Sequence, residues 1–133
     1  SIERREDHIQ MASDNVRRFH GEAPNWTTIL ADAADALPGL RADRVILDLP
    51  EPGPVLAGAA QALRPGGILV VYVPTTVQVD QVGAALRAEP RFALVETFET
   101  LQRYWHVAPN SVRPEHRMVA HTGFIMTAAR VVD

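Results

Sequence analysis

The spacing of apolar positions changes repeatedly along the chain. Ile9, Ala12, Val16 and Phe19 recur at helical intervals with Arg, Glu and Asp between them, which predicts an amphipathic helix. Gly21 closes it, where a left-handed cap favours a residue without a side chain. Ser1-Ile2-Glu3, just ahead, reads as the last residues of a strand. Residues 26–30 are a β-rich run, and Asp32, Asp35, Pro38 and Gly39 lie in a polar connection behind it. Residues 44–49 form the next strand, which ends on Asp48. Pro50, Pro52 and Pro54 follow, and none has a backbone donor, so the strand cannot continue in a central sheet position. Pro54 suits the first turn of a helix whose apolar face is Val55, Leu56, Ala59, Ala60 and Leu63. Arg64-Pro65-Gly66-Gly67 predicts a strong break. Residues 68–73 are an unbroken apolar run of the length of a buried strand. Val79, Val82 and Leu86 mark another helix, stopped near Pro90. Residues 91–98 and 121–129 read as two final strands, separated by a polar, basic stretch over residues 102–120.

Strand and helix therefore alternate until the last two strands, which follow one another with no clear helix between. Alternation implies an α/β fold with a mostly parallel sheet and helices on both faces. A final pair without a crossover helix can be antiparallel. There is no internal repeat and no low-complexity tract. The 133 residues amount to one domain, and 47% hydrophobic with 22% charged residues is an ordinary globular balance. The apolar run at 68–73 is far too short to cross a bilayer, and no signal-peptide pattern precedes the fold. With no cysteine, disulfides and thiolate metal sites are excluded, which fits a cytoplasmic protein. The five histidines form no metal-ligand pattern. Charge is uneven. Residues 1–100 carry 9 Arg and 14 acids, net −5, whereas residues 101–133 carry 4 Arg and 2 acids, net +2. Any nucleic-acid contact is expected in the last third.

Specific words along this framework carry a family resemblance. Asp48-Leu49-Pro50-Glu51-Pro52 resembles the Asp-x-Pro-x-Pro segment after the fourth strand of the tRNA (adenine-58-N1)-methyltransferases. Leu63-Arg64-Pro65-Gly66-Gly67 resembles the turn into their fifth strand, and Val71-Tyr72-Val73-Pro74 the end of that strand. Glu99-Thr100-Leu101-Gln102-Arg103, Arg113-Pro114 with His116-Arg117-Met118, and His121-Thr122-Gly123-Phe124 resemble the family's C-terminal hairpin. The resemblance implies an incomplete Rossmann-like class I methyltransferase domain with an antiparallel last strand. It implies S-adenosyl-L-methionine as cofactor, tRNA as substrate and partner, and a homo-oligomer that is tetrameric in full-length form. Two departures stand out: Gly53 replaces an aromatic residue frequent in the family, and the chain is expected to be the C-terminal part of the catalytic domain. The first strand, the Gly-rich cofactor loop and the N-terminal β domain of the family have no counterpart in it.

Each candidate residue carries two readings. Glu3 sits where a strand ends and a helix begins, so its carboxylate can accept from ribose hydroxyls, or serve simply as a first-turn acid favoured by the helix dipole. Asp32 can accept from the cofactor's adenine amino group, or act as a turn or N-cap residue. Asp48 lies at the C-terminal end of a buried-type strand, where open α/β sheets place their ligands. There it faces both cofactor and target base, or caps the following helix. In the implied reaction, adenine N1 already has an in-plane lone pair, so orientation matters more than a strong base. A carboxylate can accept from the N6 amino group and favour the positive charge that develops on the ring. Tyr72 offers a stacking face and a hydroxyl near the same cleft, or is a core tyrosine. Arg103, Arg113, His116 and Arg117 can contact tRNA phosphates, or decorate a solvated hairpin tip.

Three functions compete: a tRNA adenine methyltransferase, a non-catalytic RNA-binding subunit of such an enzyme, and a nucleotide-dependent oxidoreductase on a related fold. The combination of Glu3, Asp32 and Asp48 favours the first over the second, and the Asp-x-Pro-x-Pro word with an antiparallel last strand opposes the third. The 133-residue chain by itself is expected to be catalytically inert, because no Gly-rich loop fixes the direction of the methyl group and transfer depends on in-line geometry. Calorimetry with S-adenosylmethionine should find weak or no binding to this chain, and low-micromolar binding would contradict that expectation.

Overall fold

The computed structural model describes residues 1–132. Ile2–Glu3 (β1) and Ile29–Leu30 (β2) pair in parallel, with Glu3 opposite Leu30. The expected helix, α1, spans Glu6–His20, with Glu6 and Asp7 in its first turn and Arg17, Arg18 and His20 in its last. Both ends thus complement the helix dipole. Gly21 ends it at φ 72°, donating its N–H to the Arg17 carbonyl. The apolar stripe specifies the helix but not its burial: no α1 residue is buried and Phe19 is 86% exposed.

The connection after β2 is more ordered than its polar composition predicts. It holds a short helix, α2 (Ala33–Ala36), and a 3-10 turn, Leu37–Gly39, which buries Leu37. The Asp32 carboxylate starts α2 by accepting from the Ala34 N–H at 2.9 Å. This segment fastens the small sheet to the rest. Helix α2 packs against β1 and the turn Gly53–Val55, and the 3-10 turn packs against the next helix.

The main sheet has four strands in the order β3 (Ala42–Asp48), β4 (Leu63–Val73), β8 (Phe124–Arg130), β5 (Phe92–Phe98). Strands β3 and β4 are parallel, and β8 runs antiparallel to both β4 and β5. Alternation with an antiparallel final strand is therefore the observed topology. One face carries the core. Val45, Leu47, Leu69, Val71, Val73, Met126 and Ala128 are buried together with residues of α3 (Leu56–Ala62) and α4 (Thr76–Ala88). Fully buried Ala59, Ala60 and Ala62 allow α3 to approach closely. Complete burial of one leucine such as Leu69 contributes roughly 1.5–3 kcal/mol. Thr75 caps α4 by accepting from the Gln78 N–H.

Several boundaries differ from the sequence reading, two of them substantially; among the smaller shifts, β2 keeps only Ile29–Leu30 of the 26–30 run. The segment Arg64-Pro65-Gly66-Gly67 does not separate helix from strand; β4 begins at Leu63, opposite Ala42, and slips register before Arg44 meets Ile68. Gly66 at φ 75° makes the irregularity, and a Cβ on Gly67 would lie 2.8 Å from the Arg64 carbonyl oxygen. The glycine pair is thus a close backbone approach inside a strand. The second difference is the basic stretch, which contains a hairpin of its own, β6 (Trp105–Ala108) and β7 (Ser111–Pro114). Strand β8 begins at Phe124 rather than at residue 121, because the residues before it are engaged in side-chain contacts. No helix among the described residues is long and apolar enough to cross a membrane.

Candidate active site

Four of the sequence-predicted residues lie at the carboxyl ends of parallel strands, as two pairs on two separate sheets. Glu3 ends β1 and Asp32 follows β2 by two residues, so the β1–β2 pairing brings these acids to one edge. Asp48 ends β3, and the parallel register sets it opposite Tyr72 of β4. Alternation along each strand turns this pair to the face opposite the helix-packed core, on which Leu47, Val71 and Val73 lie. Asp48 is exposed, as a residue that meets a ligand must be.

The carboxylates differ in their engagement. Glu3 accepts from the Arg5 N–H at 2.9 Å, and its other oxygen lies 3.6 Å from His8 Nδ1. The Arg5 backbone hydrogen bond holds its pKa below the usual glutamate value, with His8 assisting. Glu3 is therefore an ionised acceptor with lone pairs to spare at the strand end, which fits a ribose diol. Asp32 uses Oδ1 to cap α2, so the structural role raised from its sequence is present. Its second oxygen is compatible with a ligand donor. These two carboxylates suit the hydroxyl- and amine-bearing half of S-adenosylmethionine, and the fit rests on acceptor placement at adjacent strand ends.

Tyr72 is neither a free phenol nor a core residue. Its hydroxyl donates to the Thr122 carbonyl, and its ring lies against Gly123. A Cβ on Gly123 would fall 2.4 Å from the ring atoms, so this position accepts only glycine while the ring stays in place. The residues before β8 thus form a strap over Tyr72. His121, one residue ahead of Thr122, contacts both the Pro74 carbonyl and Glu99, and its ring packs 4.7 Å from that of Phe124. Sequence reasoning did not assign a role to His121, Glu99, Thr122 or Gly123. The available signal was a glycine at the mouth of a strand, which marks close approach by another group.

Arg103, Arg113, His116 and Arg117 are not brought to the carboxylates. They lie on and around the β6–β7 hairpin, all exposed, with Arg113 on β7 in register with His106. Elsewhere Arg5, Arg17, Arg64 and Arg91 form ion pairs with Asp7, Asp14, Asp43 and Glu89. Between hairpin and strap lies an open cavity of about 840 Å³ that includes Gln102, Tyr104, His116, Arg117 and Thr122. A smaller one, about 290 Å³, lies between the 50–54 loop and α4. Gly53 borders it with open space where a side chain would project.

Comparison with known proteins supplies relatives over part of their length. No protein-family model matches the chain. The chain is 37% identical over 131 residues to tRNA (adenine(58)-N(1))-methyltransferase TrmI of Thermus thermophilus, covering 98% of this chain and 51% of that protein. It is 35% identical over 103 residues to the tRNA (adenine(57)-N(1)/adenine(58)-N(1))-methyltransferase TrmI of Methanocaldococcus jannaschii, covering 77% of this chain and 36% of that protein. Among solved structures, a SAM-dependent O-methyltransferase from Thermotoga maritima superposes with a TM-score of 0.92 at 30% identity, covering 100% of this chain and 49% of that one. The tRNA (m1A58) methyltransferase TrmI from Aquifex aeolicus gives 0.88 at 24% identity, covering 100% and 53%.

The contact between Tyr72 and Gly123 can be tested directly. Gly123→Ala should destabilise the protein by about 1–3 kcal/mol through overpacking. Part of that cost should vanish in a Tyr72→Ala background, because the clashing ring is gone while the strain of the positive φ at residue 123 remains. Urea midpoints of the two single variants and the double variant measure the coupling, and strictly additive losses would disprove the contact.

The chain spans about half the length of the first of these relatives, and over that span it is a homologue of the tRNA (adenine-58-N1)-methyltransferases with the class I S-adenosylmethionine-dependent methyltransferase fold.

Proposed function

We propose that this chain contributes the second half of a catalytic domain that transfers a methyl group from S-adenosylmethionine to N1 of an adenine in tRNA, position 58 of the T-loop. The observation that carries the reading is the placement of acceptors at the carboxyl ends of parallel strands, Glu3 and Asp32 on the small sheet and Asp48 on the main one, with Tyr72 in register beside Asp48. The relatives' names point to the same substrate. S-adenosylmethionine, when bound, supplies an electrophilic methyl on a sulfonium. Glu3 would hold its ribose and Asp32 its adenine, with Asp48 between cofactor and target base.

The residues of this chain then have separable tasks. Asp48 accepts from the target N6 amino group, which aims N1 and favours positive charge on the ring as the bond forms. Tyr72, held by Thr122, presents a fixed ring beside Asp48. Arg103, Arg113, His116 and Arg117 meet phosphates away from the cofactor, consistent with the net charge of +2 over the last third. The hairpin also leaves Trp105, Val107 and Val112 exposed, which supports self-association through this region and the tetramer that the family resemblance implies. A cytoplasmic location follows from tRNA as substrate.

Asp48→Ala in the full-length protein should cut turnover on the order of 10²-fold while leaving the fold intact, as loss of one preorganised electrostatic partner does. Mass spectrometry of tRNA nucleosides at saturating tRNA and cofactor measures it, and near-normal turnover would remove Asp48 from the mechanism. Replacing Arg113 and Arg117 together with Ala should weaken tRNA affinity and flatten its salt dependence, with cofactor affinity nearly unchanged. An unaltered salt slope would place the RNA elsewhere.

A further inference from the structure

His121 is held by three separate elements. Its Nε2 lies 2.7 Å from the carbonyl oxygen of Pro74, the residue that follows β4. Its Nδ1 lies 3.1 Å from Glu99 Oε2, just beyond β5. Its ring packs on Phe124, the first residue of β8. A carbonyl oxygen only accepts, so Nε2 must carry a hydrogen. An ionised carboxylate also only accepts, so Nδ1 makes its bond as a donor. Both bonds exist together only when the ring is an imidazolium. The next two residues, Thr122 and Gly123, are the ones that receive the hydroxyl and ring of Tyr72.

We propose that His121 is a positioning residue for the transfer reaction: as an imidazolium it pins the strap across the ends of β4 and β5, and the strap fixes the Tyr72 ring beside Asp48. This rests on the reading of the Asp48 cleft as the catalytic one. The clamp is pH-dependent by construction. The Pro74 carbonyl is the largest influence raising the pKa of His121 above the ordinary imidazole value, and Glu99 adds to it. A group whose pKa is raised on folding contributes fully below its unfolded value and loses that contribution as pH rises through its folded value. The clamp therefore holds fully below the ordinary imidazole pKa and releases as pH rises through the raised value of His121. The other titratable or charged residues on these elements are Arg64 and Tyr72 on β4, Glu96 on β5 and Arg130 on β8, with Glu115, His116 and Arg117 on the segment that leads to His121. Glu99 is the one that touches the ring.

The role differs from generic structural support in what it makes pH-dependent. In the full-length protein, wild-type kcat should fall about tenfold as pH rises through the His121 titration, with KM for tRNA and for cofactor within about twofold, because geometry and not affinity is lost. His121→Gln retains one hydrogen bond at most. It should lower kcat about tenfold at pH values below the His121 titration and abolish the fall that accompanies it. Glu99→Gln keeps the ring but removes a carboxylate that favours its protonation, so the fall should move to lower pH. Histidine NMR titration, with amide exchange at Thr122 and Gly123, reads the same event without turnover: exchange should quicken as His121 deprotonates. A fall in kcat unchanged in both variants would overturn the proposal, as would Thr122 and Gly123 exchange that ignores the titration. If the titration and exchange respond while wild-type protein methylates no tRNA, the clamp stands and the assignment of the cleft fails.

Discussion

The pairing of β4 with a parallel neighbour on one side and an antiparallel one on the other organises the molecule. Its alternate side chains Leu69, Val71 and Val73 are wholly buried, and the packed helices α3 and α4 share that core. Because side chains in a strand alternate between faces, burying these three commits Tyr72 to the opposite face. Parallel register with β3 then sets Asp48 at its side, and antiparallel register with β8 delivers the strap. A slip by one residue would send Tyr72 into the core and break all three relationships. The site is in this sense a by-product of core register.

Around that frame the protein divides its polar residues by task. Glu3 and Asp32 sit at strand ends and are partly spent on local order, one bonded to the Arg5 N–H and the other to the Ala34 N–H. Such bonds do not compete with ligand binding. They fix the carboxylate and leave acceptor capacity on the second oxygen, which is the kind of preorganisation a binding site needs. The basic hairpin stands apart from these acids.

Much of this was legible in one dimension. Helix α1, the apolar face of α3, the stop of α4 near Pro90 and the strand at residues 68–73 follow from periodicity and from proline's missing donor. The candidate acids were legible because strand ends could be located, and ligand sites in α/β sheets lie there. Less was legible wherever contact replaced pattern. The glycine pair at 66–67 read as a terminator yet lies within β4, since the same conformational freedom serves a turn or a bulge. The 102–120 stretch hid a hairpin, because short edge strands with charged residues resemble loops.

The sequence by itself determined the principal helices and strands, the strand-end positions of Glu3, Asp32 and Asp48, and the basic character of the last third. Those depend on local spacing and composition, which a single chain displays. Tertiary structure alone decided that Asp48 faces Tyr72, that Gly123 is glycine because a ring lies on it, and that His121 joins Pro74 to Glu99. Each of those joins residues 22 to 51 positions apart, and no local pattern encodes which distant acceptor a side chain will meet. Only the packing of β4 between its neighbours makes that choice.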